Sequence, residues 1–171
     1  MTATEQKVRE AARRYGVPEE LAVRLARQES GIRQFTAAGS IIRSSAGALG
    51  VMQLMPATAA ALGVDPYNED QNIDGGIRYL RQMYRTFGDW KTAVAAYNAG
   101  PGTMRQVLQG RKPLPGETAS HVLAIMNEPF FSAPEPAPSP PFSPGRTEQS
   151  PSRPGLPLPK MATKRGGGEH S

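Results

Sequence analysis

Cysteine is absent from this 171-residue chain, which excludes disulfide staples, thiol catalysis and thiolate zinc sites. Histidine is scarce: His121 and His170 lie far apart with no ligand-like neighbours, so no metal site is expected. No apolar run approaches the roughly 18 residues needed to span a bilayer. The opening Met1-Thr2-Ala3-Thr4-Glu5 carries an early acid with no apolar stretch behind it. Neither a transmembrane segment nor a signal peptide is therefore expected. Twenty basic residues against fifteen acidic ones leave a net charge of +5, which suits a polyanionic partner without choosing one.

Proline is plentiful but unevenly placed: six of the 17 precede residue 129 and eleven follow from Pro129 onward. The far side reads Pro134-Glu135-Pro136-Ala137-Pro138-Ser139-Pro140-Pro141 and ends near Lys164-Arg165-Gly166. Such a segment cannot bury enough apolar surface to offset its ordering entropy. The division predicts a folded domain over residues 1–130 and a disordered, polyproline-II-rich tail over 131–171. About 130 residues suffice for one hydrophobic core. Fifteen basic and twelve acidic residues lie up to Glu128, five and three beyond it. Neither half forms a basic arm, which argues against a nucleic-acid partner.

The folded part reads as successive helices. Thr2 and Glu5 form a capping-box pattern, followed by Val8, Ala11, Ala12 and Tyr15 and a stop at Gly16. Pro18 suits the first position of a second helix that ends at Gly31. Pro56 to Leu62 reads as a short helix. Ile73, Ile77, Leu80, Tyr84 and Phe87 mark one face of a longer helix, in which Gly75 and Gly76 permit close approach. Asp89 caps the next, with Trp90, Ala93, Val94 and Tyr97 as its stripe. Two more are expected near Thr103–Gln109 and Thr118–Asn127. No segment alternates like a strand. The predicted class is all-α, with at most a minimal β element near Ile41–Ser45.

One carboxylate breaks the pattern. The apolar stripe Leu21, Ala22, Leu25, Ala26 continues at Glu29, while Arg24 and Arg27 face away. A desolvated carboxyl favours its neutral form and can donate a proton near neutral pH. A Glu on a core face can equally cap a helix or pair with a buried arginine such as Arg33 or Arg81.

Three separated segments then share a pattern: Glu29-Ser30-Gly31, Ser44 through Ala59 with Gly50-Val51-Met52-Gln53-Leu54-Met55-Pro56, and Ala96-Tyr97-Asn98-Ala99-Gly100-Pro101-Gly102. Asp65-Pro66, the Asn72 to Leu80 helix and Pro115-Gly116-Glu117-Thr118 follow the same order. Over residues 12–127 the chain resembles the lytic transglycosylase catalytic domain of the soluble, lysozyme-like type. The resemblance implies a lysozyme-like fold and a cofactor-free, metal-free enzyme acting on peptidoglycan glycan strands. In that family one acid/base, matched by Glu29, protonates the oxygen between N-acetylmuramic acid and N-acetylglucosamine. It then takes the muramic C6 hydroxyl proton, closing a 1,6-anhydro ring. No Asp or Glu occurs between Glu29 and Asp65, in keeping with a single carboxylate.

Further site residues follow from the same resemblance. Ser44 and Gln53 match groove positions that hydrogen-bond sugar substituents, and Met55 an apolar wall. Tyr97 matches a residue whose phenol holds the acid, and Asn98 a groove residue that secures the nearby turn. Read singly, Met52 and Met55 could be core filling, Tyr97 a helix-face aromatic and Asn98 a turn residue. Two departures stand out: an insertion over Phe35–Arg43, and His121 where the family commonly has tyrosine. His121 could line the groove or lie on a helix surface. Glu117 reads as a structural or groove-edge carboxylate.

Two alternatives remain open at this level: a muramidase that hydrolyses the same bond, and a non-catalytic wall-binding or assembly module. The tail could dock a protein partner through its proline segments or serve as a spacer. A monomer is expected, acting at the bacterial cell wall in the periplasm. A phage particle, a lysis system or a secretion apparatus would deliver it.

Overall fold

The computed structural model describes residues 1–131. The expectation of a disordered tail falls outside the described residues. Seven helices form among them: α1 (Ala3–Tyr15), α2 (Glu19–Ser30), α3 (Pro56–Leu62), α4 (Glu69–Phe87), α5 (Trp90–Ala99), α6 (Pro101–Leu108) and α7 (Gly116–Met126). No strands form there. The minimal β element is three isolated antiparallel bridges, Phe35 with Ile41, Arg43 with Leu49 and Leu49 with Leu54.

Local chemistry explains most boundaries. The Thr2 hydroxyl accepts from the Glu5 N–H, as an N-cap should. The reciprocal half of the capping box is missing, because the Glu5 carboxylate pairs with Arg9 at 2.9 Å. Asn68 and Asp89 cap α4 and α5 in the same way. Two expectations shift. Pro18 is extended and precedes α2 as its cap instead of occupying the first turn. Helix α6 begins at Pro101, directly after α5, because Gly100 at φ 92° turns the chain without a linker.

Helix α5 organises the packing, touching α4, α6 and α7, while α1, α2 and α4 close the other side. Ala93, Val94, Ala95 and Ala96 are all fully buried. Four consecutive inaccessible positions mean a helix enclosed on every side, and small side chains let its neighbours approach. Leu25, Ile73, Ile77, Leu80, Met104 and Ile125 fill the space around it. Each such large side chain contributes about 1.5–3 kcal/mol on leaving water.

The long connection from α2 to α3 has little regular structure, so buried side chains replace a ladder. The Gln34 Oε1 accepts from the Val51 N–H at 2.9 Å, and the Asn72 Oδ1 from the Met52 N–H at 2.8 Å. The Asn72 amide donates in turn to the Leu49 carbonyl at 2.8 Å. Gly50, at φ 78°, lies against this pair, where a Cβ would collide with both amides. Gly76 does the corresponding job on α4: a Cβ there would overlap the Met52 side chain. The two amides and two glycines hold residues 49–52 flush against α4, which sets the position of the segment that follows.

Candidate active site

Glu29 lies in the last turn of α2, where its side chain keeps 11% of its exposure. Among the described residues no arginine or lysine comes within ion-pair distance of it, so neither Arg33 nor Arg81 serves as a partner. Burial in a cation-free site, reinforced by the nearby charge of Glu117, pushes its pKa up from 4.5 to about 7. The carboxyl is therefore protonated over much of the range in which it would act as an acid.

The neighbouring Ser30 has a different task. Its buried hydroxyl donates to the Val51 carbonyl at 2.8 Å and accepts from the Arg33 N–H at 3.1 Å. It thereby ties the end of α2 to the clamped 49–52 segment.

The structure brings Glu29, Ser44, Gln53, Met55, Tyr97 and Asn98 together around one cleft of about 170 Å³, which Glu117 and His121 also line. An adjoining cleft of about 210 Å³ shares Gln53, Met55, Tyr97 and Asn98 with it and runs on past Thr58, Tyr79 and Gly100. The shared residues make the two a continuous groove that passes the Glu29 carboxyl.

Ser44 and Gln53 keep hydrogen-bonding capacity for a ligand. The Ser44 hydroxyl accepts from the Ala48 N–H at 3.0 Å, which leaves its own proton free. Gln53 sits at φ 52°, outside the usual region for such a residue. Its amide donates to the carbonyls of Gly50 and Ile42 at 3.0 and 3.3 Å, holding the backbone there and leaving Oε1 open. Met55, 42% exposed, presents an apolar wall.

Tyr97 and Asn98 make contacts other than those expected. The Tyr97 phenol donates to the Met52 carbonyl at 2.5 Å. Its single proton is spent there and does not hold Glu29. Burial, with the charge of Glu29 close by, raises the phenol well above its ordinary pKa, so it stays neutral. Its ring tilts against Tyr79 with centroids 5.3 Å apart. Asn98 binds no turn of its own: its Oδ1 accepts from the Thr118 hydroxyl at 2.6 Å, fastening α5 to α7.

His121 belongs to the site. Its Nε2 lies 3.8 Å from the Glu29 Oε2, and its Nδ1 is 3.1 Å from the Glu117 carbonyl. Sequence reasoning passed over Gln34 and Asn72, whose type at a helix start or in a loop ordinarily signals a cap or solvent. Their closeness to Gly50 arises only in the fold, so spacing along the chain carried no signal for it. Among the described residues no group of three or more His, Asp or Glu could hold a metal ion, and no helix is long and apolar enough to cross a membrane.

Fold and site together define a helical domain with a single desolvated acid in an open, polar-edged groove. Residues 6–119 match the model of the Transglycosylase SLT domain, and the chain belongs to that family. It is similar to a protein named "Transglycosylase" from Enterobacteria phage PRD1, 52% identical over 58 residues that make up 33% of this chain and 22% of that one. It is also similar to the soluble lytic murein transglycosylase of Escherichia coli K12, 36% identical over 101 residues covering 52% of this chain and 15% of that protein. Among solved structures, an inactive mutant of the lytic transglycosylase Slt from Pseudomonas aeruginosa superposes with a TM-score of 0.61 at 30% identity. That match covers 72% of this chain and 23% of the other. The matched region is thus a fifth or so of each relative's length.

Proposed function

We propose that this chain is a peptidoglycan lytic transglycosylase. Glu29 protonates the glycosidic oxygen between N-acetylmuramic acid and N-acetylglucosamine, and the bond breaks through an oxocarbenium-like state. The resulting carboxylate takes the proton from the muramic C6 hydroxyl as that oxygen attacks C1. The products carry 1,6-anhydro ends and no water is consumed. Ser44 and the free Oε1 of Gln53 bind sugar substituents, Met55 packs on the ring, and Tyr97 and Asn98 hold the wall beside them. The observation that carries this reading is a carboxyl raised to about 7 in a groove lined by all six of these residues.

Glu117 favours a second reading. It lines the same cleft, and a second carboxylate could activate water for hydrolysis if it faced the opposite side of the ring. Product analysis of purified wall separates the two. Anhydro-muramic ends with the wild type and no cleavage with Glu29→Gln support transglycosylation, whereas reducing muramic ends from most cuts would replace it with hydrolysis. Equal clearance by Glu29→Gln would remove Glu29 as the catalyst. If neither protein cuts, the groove is a glycan-binding module.

The likeness to a phage transglycosylase supports a place of action at the bacterial wall, reached with a phage particle or at lysis; a secretion apparatus is the competing route. Residues 1–130 form the catalytic unit in this reading, a monomer, and 131–171 a tail able to engage a protein partner.

A further inference from the structure

His121 stands one helical turn beyond Glu117 on α7 and faces α2 across the cleft. A carbonyl can only accept, so the 3.1 Å contact with the Glu117 oxygen assigns a proton to Nδ1. In the neutral ring this leaves a lone pair on Nε2, which lies 3.8 Å from the Glu29 Oε2. Both side chains are largely shielded, with 15% and 11% of their exposure left. The separation is longer than a formed hydrogen bond, as such contacts commonly are before substrate arrives.

Among the described residues none of the other side chains lining the cleft makes a hydrogen bond to Glu29. Glu117, on α7, is acidic and opposes the carboxylate. Tyr97, on α5, spends its proton on Met52. Ser44 and Gln53, on the α2–α3 connection, carry no charge. His121 is the one basic side chain lining the cleft among the described residues.

We infer that His121 is a positioning residue that accepts a hydrogen bond from the Glu29 carboxyl through Nε2, keeping the acid's proton in place until the glycosidic oxygen replaces the imidazole as acceptor. The proton passes from Glu29 to the leaving oxygen, and the C6 hydroxyl returns one to Glu29. The ring ends each turnover neutral, with its Nδ1–H still on the Glu117 carbonyl. The inference rests on Glu29 being the acid of the proposed reaction. A phenol at this place would donate to Glu29 and favour the carboxylate, so histidine and tyrosine here act on the acid with opposite sign.

The test is a carbon-13 NMR titration of the Glu29 carboxyl in the free, full-length protein, set beside the pH profile of kcat/KM on purified wall. In His121→Phe the titration and the alkaline limb both move to lower pH, by about half a unit or more, a roughly threefold change in protonated fraction. His121→Gln, which keeps an acceptor, restores them toward the wild type, and His121→Tyr moves them furthest down. Should His121→Phe not fold, His121→Tyr supplies the same comparison. An unchanged Glu29 titration in a folded variant overturns the inference, even if activity falls, because a groove wall would lower activity without moving the acid. A shifted titration in a protein that never cuts wall instead refutes the proposed function and leaves the hydrogen bond standing.

Discussion

Among the described residues, two clefts that carry carboxylates differ in how those groups are partnered. The larger, about 350 Å³ between α1 and α4, is lined by Lys7, Glu10, Arg14, Asp70 and Asp74. Two of its three acids are matched by cations: Asp70 meets Lys7 at 2.9 Å, and Asp74 meets Arg78 at 2.9 Å while accepting the Tyr15 hydroxyl at 2.6 Å. The Asp70 side chain keeps 73% of its exposure. Glu29 occupies half that volume, with 11% exposure and no cation. Cavity size and carboxyl state therefore point to different clefts, and the state of the carboxyl is the one with chemical content. Hydration and a cationic partner favour the charged carboxylate, whereas burial beside another acid favours the protonated form.

The comparison predicts a graded series. Glu29→Gln is expected to lower kcat/KM on purified wall by roughly a thousandfold, within the range for losing a general acid, as read from soluble muropeptides released. The wild type should lose activity as pH rises above about 7, where the acid deprotonates.

The same substitution should stabilise the fold in alkali. The pKa of Glu29 is raised from 4.5 unfolded to about 7 folded, so between these values the native state keeps a proton that the unfolded state has released. Wild-type stability accordingly falls as pH rises through that window, by about 3 kcal/mol in all, and then levels off. Glu29→Gln lacks this loss. Denaturant unfolding should find it equal to the wild type below pH 4.5 and more stable by about 3 kcal/mol at pH 8. An equal difference at both pH values would mean that the site is not desolvated as described.

Asn72→Ala comes next. It orphans the buried Met52 N–H and should cost about 2 kcal/mol in unfolding experiments, with lower activity because the groove segment loses its clamp. Asp70→Asn is expected to be smallest: below about 1 kcal/mol in stability, as for exposed ion pairs, and no change in wall cleavage. An activity loss there would show that the larger cleft takes part after all.

Most of the fold was legible because its punctuation is local. Gly16, Gly31, Gly63 and Gly88 end helices in the left-handed region, and Thr2 and Asp89 cap by contacts only three residues long. Such signals need no knowledge of the distant chain. Glu29 was legible for a related reason: an acid on an apolar stripe is an inconsistency visible within one helix. What escaped depends on long-range packing. Tyr97 donates to Met52 because α5 and the clamped loop meet, and His121 reaches Glu29 because α7 lies against α2. Neither relation leaves a trace in spacing along either helix.

The enclosure of α5 has a consequence for motion. Backbone amides in the fully buried stretch Ala93–Ala96 should exchange with solvent only when the domain opens globally, and Tyr97 and Asn98 follow directly in the same helix. The groove's α5 side is thus as immobile as the fold itself. Residues 35–48 are largely exposed and are held by isolated bridges and single hydrogen bonds, such as the Ile42 N–H on the Gln34 carbonyl at 2.9 Å, in place of a buried helix. A glycan strand in the groove would meet one wall backed by the centre of the core and another backed only by loop contacts.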